Sequence, residues 1–153
     1  MRVNLGCPRY CEGYLCVDLF PKDPRVLQGD ALEWLENSSE YLDEIKTENL
    51  IEHLPNVQAF LRLCYLRLQT AGKLIVVTDN AEWFPFYLPI DIKGTGIGAH
   101  SEESYSLRFN AVHLSIFSPM HLREHLLLAG FKRVKVRRMW QVLGARLEGV
   151  GTK

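Results

Sequence analysis

"VNLGCPRYCEGYLCVD", residues 3–18, has two readings that lead to different proteins. Its three cysteines, Cys7, Cys11 and Cys16, are close enough together to suggest a zinc or iron–sulfur site. The same letters also spell a short apolar strand, a glycine turn and a second strand that ends in an acid. Spacing separates the two. A structural zinc site takes four nitrogen or sulfur ligands, commonly from C-x2-4-C pairs. Here the pattern is C-x3-C-x4-C with no second pair and a distant Cys64. Cys16 lies between Leu15 and Val17, where a small buried thiol is ordinary. The cysteines are therefore read as free thiols, and no metal ligands are assigned.

The strand–turn–strand reading carries chemistry. Gly6, at the end of the first strand, lets a ligand approach the backbone closely. Asp18 ends the second strand, where an acid can accept both hydroxyls of a ribose. "GDA" at 29–31 then puts Asp30 at the end of a third strand, on the same edge of the sheet. Two acids at neighbouring strand ends suit an adenosine, one for the ribose and one for the adenine amino group. Their competing role is to cap helices or to sit solvated in turns.

Outward from this stretch, apolar runs alternate with helical patterns. "RVNL" (2–5), "YLCVDL" (14–19), "RVLQGD" (25–30) and "YLDEIK" (41–46) read as strands, with "ALEWLEN" a short helix between the third and fourth. "NVQAFLRLCYLRLQTAG" places Val57, Phe60, Leu61, Cys64 and Leu68 at near-helical spacing, with Gly72 as its stop. "KLIVVTD" (73–79) is almost wholly apolar, as expected of a central strand covered on both faces. "SPMHLREHLLLAGF" is a helix with Ser118 at its N-cap, Pro119 in its first turn and Gly130 at its end. "KRVKVRRMWQVLGARLEG" closes the chain as a β hairpin. The alternation implies one α/β domain over 1–153, with a mostly parallel sheet and an antiparallel hairpin at or near one edge. Residues 80–118 interrupt it with seven aromatics and "GTGIG", and are expected to be a substrate lid or else a peripheral packing or homodimer-forming insertion.

Bulk properties narrow the partners. Eighteen basic residues balance eighteen acidic ones, so there is no global pull toward nucleic acid or an anionic membrane. No apolar run approaches the ~20 residues of a membrane helix. The start, "MRVNLG", enters a strand at once, which leaves no room for a signal sequence. A cytoplasmic setting is the resulting expectation.

The ordered set "VNLGCPRYCEGYLCVDL", "VLQGDALEWL", "LDEIKTENLIEHLPN", "LRLQTAGKLIVVTDN" and "HLSIFSPMHLREHLLLAGFKRVKV" resembles the class I S-adenosylmethionine (SAM)-dependent methyltransferases, specifically their small type 11 group. The match covers most of the chain outside 80–112. The resemblance implies a Rossmann-like, mostly parallel seven-stranded sheet with a C-terminal antiparallel hairpin, and SAM as cofactor. By matching position, Gly6 and Cys7 would border the methionine part of SAM. Asp18 would hold the ribose, with Leu19 against the adenine. Asp30 would meet the adenine amino group, beside Ala31. Glu48 or His53 would lie near the methionine end, although for His53 a helix-terminus or packing role competes. The family's first motif usually has a second glycine two residues after the first, where this chain has Pro8. Proline lacks a backbone N–H and fixes its φ.

The implied activity is in-line methyl transfer to a small-molecule or glycan-type acceptor. The alternative is a degenerate fold, with weak or no SAM binding, that acts as a scaffold or partner protein. Nucleic-acid methylation is disfavoured by the neutral charge and the lack of an N/D-P-P-Y/F motif. Candidates for a base are Asp79 at the end of the fifth strand, His113 before "IFS", and His100 in the expected lid. Three further patterns carry less. "HLREH" (121–125) fits H-x-x-E-H but lacks a zinc protease's context. "GTGIGA" (94–99) follows no clean strand and reads as a hinge. The basic run Lys132, Arg133, Lys135, Arg137 and Arg138 reads as a solvated strand face, with an RNA or phosphosugar contact as the alternative.

Overall fold

The computed structural model describes residues 1–83, 113–139 and 146–153. Its strands are β1 (Arg2–Leu5), β2 (Leu15–Asp18), β3 (Leu27–Gln28), β4 (Leu42–Glu48), β5 (Leu68–Asp79), β6 (Arg133–Arg138) and β7 (Arg146–Thr152). The helices are α1 (Ala31–Asn37), α2 (Val57–Arg67) and α3 (Pro119–Ala129), with a 3-10 turn at Ile51–His53. The seven strands form one sheet in the order β3-β2-β1-β4-β5-β7-β6. The pairs among β1 to β5 are parallel, and β7 runs antiparallel to both β5 and β6. The seven strands, their mostly parallel pairing and the antiparallel hairpin at one edge match the sheet expected from the sequence.

The caps explain where helices begin. Asp30 starts α1, its Oδ1 accepting the N–H groups of Leu32 at 2.8 Å and Glu33 at 3.0 Å. Asn56 caps α2 through the Ala59 N–H at 3.0 Å. Ser118 caps α3 through the His121 N–H at 3.2 Å, with Pro119 directly after it.

Register explains the core. Val3, Ile45, Leu74 and Gly151 lie in one row across β1, β4, β5 and β7, and Leu5, Thr47, Val76 and Gly149 in the next row on that face. Against these rows pack Leu35 of α1, Phe60, Leu61 and Cys64 of α2, and Leu122, Leu126 and Ala129 of α3, all buried in one cluster. Gly149 and Gly151 give the α3 side its room. A Cβ on Gly151 would sit 2.7 Å from Cγ of Phe131, closer than atoms pack. Gly151→Ala should therefore cost about 1–3 kcal/mol by overpacking, read as a lower midpoint in urea denaturation.

Three features differ from the sequence reading. First, α2 does not run to Gly72; it stops at Arg67, and Leu68 already belongs to β5, paired with Leu42. Leu68 is fully buried, so its tertiary partner takes it from the helix. The register then shifts between Leu42 and Glu44, Ala71 takes φ +64°, and a Cβ on Gly72 would come within 3.1 Å of the Leu42 carbonyl. Second, the strand expected over 25–30 shrinks to two residues. Third, β5 is not helix-covered on both faces among the described residues. The three helices lie side by side on one face, α2 touching both α1 and α3. The opposite rows carry Arg2, Glu44 and Lys73, then Asn4, Lys46, Ile75 and Val150. Arg2 and Lys73 are exposed there, while Asn4 is buried. No helix of the described residues is long and apolar enough to cross a membrane.

Candidate cofactor cleft and the polar cluster beside it

The parallel strands β1 to β4 end on the same edge, and their ends surround a cleft of about 540 Å³. Gly6, Asp18, Leu19, Asp30 and Ala31 line it, as do Asn49, Leu50 and His53. Backbone hydrogen bonds stitch the rim together. The Gly6 N–H donates to the Val17 carbonyl at 2.9 Å, and the Gly29 N–H to the Asp18 carbonyl at 3.0 Å. Gly6 has φ +74°, and a Cβ there would press on Cβ of Leu50 at 3.1 Å. The rim of β1 therefore favours glycine over any residue with a side chain.

The two acids differ in their local bonds. Asp18 Oδ1 accepts the Phe20 N–H at 2.8 Å, which folds the turn after β2 and leaves Leu19 and Phe20 exposed at the mouth. Asp30 caps α1 and lines the cleft at once, so the competing cap role is real and does not remove it from the site. Cys7 and Glu48 adjoin the lining residues Gly6 and Asn49 in the chain but do not line the cleft themselves. The Cys7 thiol donates to the Arg9 carbonyl at 2.9 Å. Burial first, then the neighbouring Cys16, pushes that thiol up to about 11. Glu48 is ion-paired with Lys46 on β4 and is not among the residues lining the cleft. Asn49 lines it, held at φ +50° with its N–H on the Val77 carbonyl at 2.9 Å. The signal for Asn49 was present in the sequence: asparagine tolerates the left-handed region better than most residues, and it directly follows a strand.

A second group of polar side chains adjoins the cleft through His53. The ring of His113 stands edge-on to that of His53, with centroids 4.8 Å apart. Nδ1 of His113 is 3.9 Å from a carboxylate oxygen of Asp79, and both side chains are nearly buried. Two of the three base candidates thus meet, because the chain entering α3 runs beside the end of β5, where Asn80 bridges Phe117. His100 and "GTGIGA" fall within 84–112, outside the described residues, as does most of the expected lid. Glu52 is the member that sequence reasoning missed. It is buried, accepts the Thr78 hydroxyl at 3.0 Å, and its carboxyl is pushed up to about 7 by burial, with the charge of Asp79 adding to the shift. "EH" at 52–53 carried no periodic signal of its burial, since a 3-10 turn has no amphipathic repeat to read.

The other motifs have local explanations. His125 of "HLREH" shares its Nδ1 with Oε1 of Gln58 at 3.0 Å and packs on Phe117. In the basic run, Arg137 pairs with Glu148 at 2.8 Å and Arg138 with Glu82 at 2.6 Å. Charged side chains suit β6 as an edge strand.

No family model and no curated protein match the sequence. Solved structures do match its fold. A SAM-dependent methyltransferase from Archaeoglobus fulgidus superposes with TM-score 0.65 at 16% identity, over 99% of this chain and 85% of its own. A Thermotoga maritima SAM-dependent methyltransferase, described as a possible histamine N-methyltransferase, gives TM-score 0.61 at 18% identity over 99% and 81%. PigF with S-adenosylhomocysteine gives 0.51 at 19% identity, over 86% of this chain and 39% of that one. With its seven-stranded order and C-terminal antiparallel pair, the chain has the fold of the class I SAM-dependent methyltransferases.

Proposed function

We propose that the protein is a SAM-dependent methyltransferase of the small type 11 kind, acting on a small-molecule or glycan-type acceptor. The observation that carries this reading is the cleft. It joins a glycine rim, strained for any side chain, to two acids at adjacent strand ends, within one space of about 540 Å³. That volume falls within the ~300–1,000 Å³ typical of ligand pockets. The donor set fits the cofactor: carboxylates for hydroxyl and amino groups, and apolar Leu19 and Leu50 for a flat base.

When bound, SAM supplies an activated methyl group. The chain's own task is to orient both reactants and exclude water. Asp18 would accept the ribose hydroxyls and Asp30 the adenine amino group, while Gly6 lets the backbone approach the amino-acid end. The cluster of His53, His113 and Asp79 would receive the polar group of the acceptor beside the cleft. Two features favour the scaffold alternative. Pro8 removes one N–H from the loop after β1, and the β1–β2 connection holds no helix.

Calorimetric titration with SAM and S-adenosylhomocysteine tests the proposal. Heat with 1:1 stoichiometry is expected. No heat at millimolar ligand, from protein with a cooperative unfolding transition, would establish the scaffold instead.

A further inference from the structure

Glu52, His53 and His113 each offer a donor atom within 4.8 Å of the others. Two sets of contacts bring them together. The Glu52 carbonyl accepts the N–H groups of Leu114 at 2.8 Å and Ser115 at 3.2 Å, which sets His113 against His53. On the other side, the Thr78 hydroxyl holds Oε2 of Glu52 at 3.0 Å.

The remaining carboxylate oxygen supplies an independent observation. Glu52 is 1% exposed, and its Oε1 has no hydrogen-bond partner among the described residues. Buried polar atoms in native folds are almost always satisfied, and an exception marks a place where an ion or water completes the bonding. Two imidazole nitrogens and one carboxylate oxygen are a donor set that suits first-row divalent ions; magnesium and calcium favour all-oxygen shells.

We propose that Glu52, His53 and His113 bind a divalent transition-metal ion beside the cleft. Asp79, 3.9 Å from Nδ1 of His113, is the outer carboxylate that orients that ring. Donors ~2.0–2.1 Å from a tetrahedral ion stand ~3.4 Å apart, so the longest edge of the cluster closes by about 1.4 Å through side-chain torsions. The described residues supply three ligands, the number that catalytic zinc sites take from protein. An acceptor's hydroxyl or carboxylate oxygen would complete the shell there. That last clause rests on the proposed transfer function, whereas the metal site does not.

Cobalt(II) is the probe, titrated into chelator-treated protein and followed by calorimetry and visible absorption. The expected result is one ion per chain, with d–d bands and no thiolate-to-metal charge transfer. His113→Ala should weaken it at least tenfold in protein that keeps a cooperative unfolding transition. If that variant does not fold, His53→Gln carries the cobalt comparison. A thiolate band would place the ion on Cys7, Cys11 or Cys16 and overturn the proposal. So would unchanged affinity in the folded variant, or no uptake at millimolar cobalt. Any of these outcomes with S-adenosylhomocysteine still bound leaves the methyltransferase reading standing.

Discussion

Asp18→Ala is expected to weaken S-adenosylhomocysteine binding by ~2–4 kcal/mol, roughly 30- to 900-fold, while the fold survives. The magnitude is that of losing charge-assisted hydrogen bonds to a pair of hydroxyls. The fold should survive because Asp18 lies at the rim of the cleft and its side chain supports one turn, through the Phe20 N–H. Its structural backbone contact, the carbonyl held by Gly29, does not depend on the side chain. Asp18→Asn keeps an acceptor for the Phe20 N–H and removes the charge, so it should fall between parent and alanine. Calorimetry of the three proteins checks the order. Binding by Asp18→Ala as tight as the parent's would show that the ligand does not use this strand end.

Phe131→Ala should produce the largest loss of stability, ~3–5 kcal/mol, the range for deleting a buried aromatic ring. Phe131 is 2% exposed, stands edge-on to Tyr65 with centroids 5.3 Å apart, and fills the space that Gly151 leaves open. Its backbone N–H also bonds to the Leu126 carbonyl, so the ring sits where α3 turns into β6. Tyr65 cannot close the cavity by itself, because Arg62 and Lys153 pack over its ring. A domain is usually stable by only ~5–15 kcal/mol, which brings the variant near its unfolding threshold. Urea denaturation reads the change. A loss below about 1 kcal/mol would mean that α3 and β7 repack without the ring. Ligand affinity, measured where the variant is still folded, should not move, because Phe131 does not line the cleft.

Much of this architecture was legible in the sequence because local chemistry and tertiary structure agree there. "ALEWLEN" is helical from Ala31 to Asn37 because Asp30 caps it, and Ser118 with Pro119 starts α3 for the same kind of reason. The β-rich "KRVKVRRMWQVLGARLEG" signalled the final hairpin, which forms between β6 and β7. Gly6, Asp18 and Asp30 could be placed on one edge because parallel strands joined by short crossovers must end on the same side.

Where local preference and tertiary packing compete, packing decided. Leu68 suits a helix and becomes a strand because it pairs with Leu42 of β4 and is buried there. "KLIVVTD" reads as covered on both faces, yet the described helices cover one of them; the pattern of a single strand cannot report what its neighbours carry. The polar cluster was the least legible feature. Glu52 and His53 sit on a turn with no repeat, and His113 lies far along the chain. Two backbone hydrogen bonds from 114–115 to the Glu52 carbonyl bring them together. Sequence determined the strands, the caps and the acids at the strand ends, because those rest on neighbours in the chain. Tertiary structure alone decided which histidine meets which acid, because that contact depends on how distant segments pack at the end of the sheet.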